Sequence, residues 1–170
     1  MRRTALLILT LIWLLTNEVY ACTCVEINES IGKKIEKAFL KSDLIFVGKV
    51  IDKQFKETEI YVPELDSKQK YYRAIYTFEL INLFRGQPDK EEIEIVTTAS
   101  SNSCGFEFQV GEVYLVYSNQ YNQRIAFSPY LNQERVNPFY ATDICTRTEK
   151  VNKVEKIEIR KLKRMAKRKT

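Results

Sequence analysis

Cys22 and Cys24, two of only four cysteines in the 170-residue chain, stand directly behind a segment laid out like an export signal. Arg2 and Arg3 give that segment a positive start, an apolar run covers residues 5–15, and Val19 and Ala21 supply the small residues that a signal peptidase reads. Cleavage before Cys22 is therefore expected, with residues 1–21 as signal peptide; an uncleaved anchor is the alternative, although the run is short for a membrane span. An even cysteine count in an exported chain reads as a disulfide framework. In an extended Cys-x-Cys the two α-carbons stand near the upper limit for a bridge, so each should pair at a distance. The distant partners are Cys104 and Cys145, and the residues alone leave both arrangements open.

The chain has no histidine. That removes Ser-His-Asp and Cys-His catalysis and every histidine-ligated zinc site. The cysteines are not arranged as two Cys-x-x-Cys pairs either, so they make a poor zinc site. No acid, base and nucleophile stand out together, and the chain reads as a non-enzyme, monomeric, with no cofactor of its own.

Residues 28–41 carry Ile31, Ile35, Ala38 and Phe39 at helical spacing, with Asn28 or Ser30 as the cap. Residues 44–51, Leu-Ile-Phe-Val-Gly-Lys-Val-Ile, form a strongly β-prone run in which Gly48 marks a bulge or tight bend. The polar residues 53–70 read as a long hairpin loop. Strands are expected at 71–84, 92–97, 112–117 and 124–127, with a turn at 85–89 and a loop at 98–105. Five mostly antiparallel strands with flanking helices fit a small closed or partly open barrel, which makes the chain mainly β. Tyr71, Tyr72, Tyr76 and Phe78 could form a base-stacking face on such a barrel, but their alternation with polar residues favours core and pleated-surface packing.

The chain's charge is unevenly placed. Residues 150–170 hold ten Lys or Arg against two Glu, a net of +8, whereas residues 22–149 hold fifteen basic and nineteen acidic residues, a net of −4. Val151, Val154, Ile157 and Leu162 lie near helical spacing, so a fraying basic helix is expected, chiefly as a solvated tail. Attachment to an anionic surface or polysaccharide is the second reading of this tail; nucleic acid is not expected for an exported chain with an acidic barrel.

Several segments, taken in order, resemble the amino-terminal, netrin-like domain of the tissue inhibitors of metalloproteinases. Cys22-Thr23-Cys24-Val25 resembles the family's Cys-Thr/Ser-Cys opening, and Ser42-Asp43-Leu44-Ile45-Phe46-Val47-Gly48-Lys49-Val50 its first strand. Phe84-Arg85-Gly86-Gln87-Pro88 is similar to its Phe-Lys-Gly-Pro turn, and residues 98–105, ending in Asn102-Ser103-Cys104-Gly105, to its central cysteine loop. Val110-Gly111-Glu112-Val113-Tyr114-Leu115-Val116 resembles the strand that follows. The likeness covers about residues 22–147. The third bridge of the animal inhibitors and their second, six-cysteine domain are absent, as in minimal single-domain members, and Glu26 stands where the family often has proline.

The resemblance implies a five-stranded, OB-fold-like (netrin-like) barrel over residues 22–149 with Cys22–Cys104 and Cys24–Cys145 bridges, followed by the basic tail at 150–170. It also implies a secreted inhibitor of zinc metalloproteases. The α-amine and carbonyl of Cys22 would chelate the target's catalytic zinc, which keeps an open position for water. Thr23 would enter the specificity pocket, its small β-branched side chain suiting broad recognition. Val25, Glu26, Ser101, Asn102 and Ser103 would complete a contact ridge with Cys22, Thr23 and Cys24. The alternative is a netrin-like binding or structural module without inhibitory activity. A lipoprotein is a third version, since Val19-Tyr20-Ala21-Cys22 resembles a lipobox; a lipid on Cys22, anchoring the chain to the envelope, would use up both its amine and its sulfur.

Overall fold

The structure, a computed structural model, describes Cys24 and residues 28–62, 65–88, 90–99, 104–123 and 135–168. It is mainly β. Helix α1 (Ile31–Lys41) comes first, then β1 (Leu44–Val62), β2 (Ser67–Arg85), β3 (Glu92–Thr98), β4 (Val113–Gln123), β5 (Arg135–Ala141) and β6 (Glu149–Lys150). A 3-10 turn (Val151–Lys153) leads into helix α2 (Lys156–Ala166). The strands make one six-stranded sheet in the order β1-β2-β3-β5-β4-β6, and β1 also pairs with β4. All pairings are antiparallel except β3 with β5, where Ile95 faces Tyr140 and Val96 faces Ala141.

The unbroken apolar run at the start of β1 has a direct cause: both faces of that strand are covered. Leu44, Phe46 and Val50 join Tyr76, Phe78, Ile93, Ile95, Phe108, Tyr114 and Val116 in one core cluster. Its aromatic rings meet edge-on, Phe78 and Tyr76 each 5.0 Å from Phe108 between centroids. Ile45, from the opposite face, packs with Leu115 and Tyr117 of β4, Ile35 and Phe39 of α1, Phe84, and Leu162 of α2. The alternation within β1 and β4 thus feeds two cores, one on each side of the sheet.

Gly48 sits where the β1–β2 register shifts, between Val47 and Gly48. A Cβ there would lie 2.8 Å from the Phe46 ring and 3.0 Å from the Glu79 carbonyl, so the bulge and the close approach both require glycine. Gly86, in the turn after β2, has φ +93° and its backbone lies against Leu44 and Asp43.

The structure differs from the sequence expectations at four points. Residues 53–70 are not a long loop: β1 and β2 run on as a two-stranded ribbon, paired from Lys53↔Tyr76 out to Val62↔Ser67. The polar run continues the ladder begun in the core, and opposite charges meet diagonally across it, Lys70 with Glu57 at 2.6 Å and Lys68 with Glu59 at 3.7 Å. The strand that pairs with β3 and β4 is β5 at Arg135–Ala141, and the strand expected at residues 124–127 lies outside the described residues. β5 escapes a sequence reading because it contains Pro138, tolerated here where the β4–β5 register is irregular between Tyr121 and Gln123. A sixth strand, β6, adds two residues beside Leu115 and Tyr114, too few to carry a pattern.

The expected solvated tail is the fourth correction. α2 packs against the sheet and α1, with Leu162 fully buried and Val154, Ile159 and Met165 half-buried around it. Ile157, placed on the apolar stripe by spacing, is instead 40% exposed. Of the aromatic group in β2, Tyr76 and Phe78 are buried in the core while Tyr72 stays half exposed, so these three do not share a stacking face; the Tyr71 side chain lies outside the described residues. No helix among the described residues is long and apolar enough to cross a membrane.

Candidate functional site

Cys24 is joined to Cys145, with their α-carbons 5.2 Å apart across a sequence separation of 121. Cys104 is also disulfide-bonded, its partner lying outside the described residues. The proposed ridge residues Cys22, Thr23, Val25, Glu26, Ser101, Asn102 and Ser103, and with them the Cys22–Cys104 pairing, lie outside the described residues too. What the structure describes is the framework around them.

That framework is built by short, local hydrogen bonds. Asp143 follows β5, and its Oδ1 accepts from the backbone N–H groups of Cys145 at 2.8 Å and Thr146 at 3.0 Å. Such a turn fixes the Cys145 backbone without any regular element. The Ile144 N–H donates to the Cys104 carbonyl at 3.0 Å, so the two cysteine-bearing loops are tied to each other. Cys104 itself has φ +63°, an uncommon backbone for a residue with a side chain. Past it, the Phe106 N–H donates to Thr97 Oγ1 at 2.9 Å and Phe108 enters the core, which pins the segment to β3.

Behind the Cys145 loop is a threonine cluster. Thr142 Oγ1 donates to the Tyr117 carbonyl at 2.8 Å, and Thr148 Oγ1 accepts from the Tyr117 N–H at 3.0 Å. Thr142 and Thr148 are buried, and Thr146 Oγ1 lies 2.9 Å from each of their hydroxyls. Both ends of the loop are thereby fastened to the middle of β4. Arg147, two residues after Cys145, reaches α2: its Nε donates to Glu158 Oε1 at 2.9 Å and its terminal amine pairs with Glu158 Oε2. Tyr117 Oη donates to the same Glu158 Oε1 at 2.7 Å.

Glu158 is only 4% exposed, so its charge depends on these donors. Burial, reinforced by the neighbouring Glu158 carboxylate, pushes the Tyr117 hydroxyl far above its ordinary range and keeps it a neutral donor. The hydrogen bond to Glu158 likewise holds the Arg147 guanidinium above its usual value. Together these groups brace α2 against the strand that leads away from Cys145.

Beside the bridge a groove of about 600 Å³ is lined by Cys24, Glu29, Lys37, Phe106, Arg147 and Lys153, among others. Its walls are charged and open, and among the described residues they bring together no nucleophile with a base. Among the described residues no group of three or more His, Cys, Asp or Glu could hold a metal ion. The arrangement can hold a chain segment rigidly in place.

Sequence reasoning missed Asp143, Thr142, Thr148, Arg147 and Glu158 as supports of the cysteine loops. The signal for Asp143 was present, since Asp two residues before a Cys is a turn former. Glu158 carried none, because an acid in a basic run reads as a solvated charge. No protein-family model matches the chain, and no curated protein matches it.

Proposed function

We propose that the chain is a secreted inhibitor of zinc metalloproteases of the tissue-inhibitor type, acting through a mature amino terminus at Cys22. The observation that carries the reading is the tethering of Cys24. It is bridged to Cys145, in a loop clamped by Asp143 and hydrogen-bonded to the carbonyl of Cys104. A chain that begins at Cys22 starts two residues from that anchor, so little ordering entropy is left to oppose binding. The strand ladder supports the matching fold: pairings run β1–β2–β3–β5–β4 and return from β4 to β1, the circuit of a closed five-stranded OB-type barrel.

In this mechanism the neutral α-amine and the carbonyl of Cys22 chelate the protease's zinc and displace the water that would attack the substrate. An α-amine has a pKa of about 8, so zinc binding expels its proton and inhibition strengthens as pH rises toward that value. Thr23 enters the pocket beside the zinc, and residues 101–103 flank it. The test is the amino-terminal sequence and intact mass of the exported chain. An unmodified Cys22 at the terminus, with all thiols oxidised, is the expected result; a lipid on Cys22, or one residue ahead of it, removes the chelating group and overturns the proposal.

A further inference from the structure

Helix α2 has a second face that its packing does not use. At 100° per residue, Glu158, Ile159, Leu162 and Met165 point to the protein, and Lys156, Arg160, Lys163, Arg164 and Lys167 fall on the opposite side. These five side chains, with Lys153 before the helix and Arg168 after it, are all exposed. Among the described residues none of the seven is in an ion pair, whereas the other basic residues of this region are: Arg147 with Glu158, Lys150 with Glu112, and Lys161 with Glu36. Among the described residues, Glu36 is the only acid lining the two shallow grooves on this side. One, of about 550 Å³, is lined by Ile157, Arg160, Lys163 and Arg164. Its neighbour, of about 350 Å³, shares Ile157 and Arg164 and adds Lys161 and Arg168.

We propose that this face is a docking surface for a linear polyanion, namely an acidic or sulfated polysaccharide chain lying along α2. The cations form a row about 16 Å long, the rise of eleven helical residues, and a thin flexible chain can follow it. An anionic bilayer fits less well. A helix that lies in a membrane surface buries its apolar face there, and the apolar face of α2 is committed to the core, leaving Ile157 alone outside. A nucleic-acid duplex is a broad, stiff rod that would also meet the net-negative body of the domain. Lys153 also lines the groove beside the Cys24–Cys145 bridge, but the other six cations lie outside the residues that line it, and the surface does not depend on the inhibitory reading.

The experiment measures binding of size-defined heparin fragments to the full disulfide-bonded chain. Saturable binding is expected, weakening about tenfold or more between roughly 50 and 200 mM salt as counterions are released. The triple variant Arg160→Glu, Lys163→Glu, Arg164→Glu should bind at least about tenfold more weakly. A charge-matched control, Lys41→Glu, Lys49→Glu, Lys56→Glu, should stay within about threefold of the parent, because its exposed positions lie off the row. Arg160→Gln with Lys163→Gln, which conserves helix propensity and reverses no charge, should show the same direction of loss with an unchanged melting temperature. Equal weakening in the control, or no weakening in either α2 variant, overturns the proposal. So does tighter α2-dependent binding to phosphatidylserine vesicles or to duplex DNA than to the fragments.

Discussion

The outer half of the β1–β2 ribbon and helix α2 are both polar, highly charged stretches, and the protein treats them oppositely. In the ribbon, Glu57, Glu59, Lys68 and Lys70 pair across strands at the surface, and Phe55 remains 64% exposed. In α2, Leu162 is fully buried and a carboxylate, Glu158, is buried with it. Charge content does not distinguish the two; spacing does. Ile159, Leu162 and Met165 recur at intervals of three and stripe one face of a helix, so the helix can close the second core while its cations stay wet. Beyond the Phe55↔Ala74 pair the described side chains of the ribbon, apart from Tyr72, are polar on both faces, and its order comes from continuing the ladder begun in the core.

The sharpest way to break this comparison is to truncate one apolar side chain in each region. Leu162→Ala should lower unfolding stability by about 2–5 kcal/mol, whereas Phe55→Ala should stay within about 0.5 kcal/mol, both read from urea denaturation. If the two losses are similar, α2 is not part of the core. Charge removal gives the next test. Glu158→Ala strands the Arg147 guanidinium and the Tyr117 hydroxyl and should cost about 2–4 kcal/mol, somewhat less than a fully buried pair because Arg147 is partly exposed. Glu57→Ala removes an exposed partner of Lys70, and no measurable change in midpoint is expected.

A smaller effect separates the regions by pH. Tyr117 has its hydroxyl pKa raised in the folded protein, while in the unfolded chain it ionises near 10. The folded state then binds the proton more tightly, so this contribution is complete below about pH 10 and is lost as pH climbs above it. Tyr117→Phe should cost about 1–3 kcal/mol at neutral pH and show a shallower fall in stability above about pH 10 than the parent. Tyr72→Phe, on the exposed ribbon, should stay within about 0.5 kcal/mol of the parent at neutral pH. Equal slopes for Tyr117→Phe and the parent would contradict the buried hydrogen bond to Glu158.

How legible all this was in the sequence follows from the same physics. α1 was readable because Ile31, Ile35, Ala38 and Phe39 recur at helical spacing and Ser42 closes the run. The first strand was readable, with Gly48 marking the bulge, because a continuous β-branched and aromatic run has few other uses. β5 was not, since Pro138 argues against a strand until the bulge beside it is known. The supports of the cysteine loops were hidden for a different reason. Arg147 and Glu158 are eleven residues apart on different elements, and nothing in either neighbourhood announces that they will meet. The resemblance that pointed to Cys24 and Cys145 drew on a pattern of segments; Asp143 and the threonine cluster explain physically how such a loop stays put.

In the proposed mechanism an unblocked Cys22, two residues ahead of the tethered Cys24, does the work. Two chains decide it, one beginning at Cys22 and one carrying a single alanine ahead of it, each titrated against the catalytic domains of several zinc metalloproteases. The account predicts that the first inhibits with its zinc-facing amine free, and that the extended chain, equally folded by melting temperature, loses at least about a hundredfold in affinity, the equivalent of roughly 2.7 kcal/mol. Equal inhibition by both chains, or none by the chain that begins at Cys22, would contradict it.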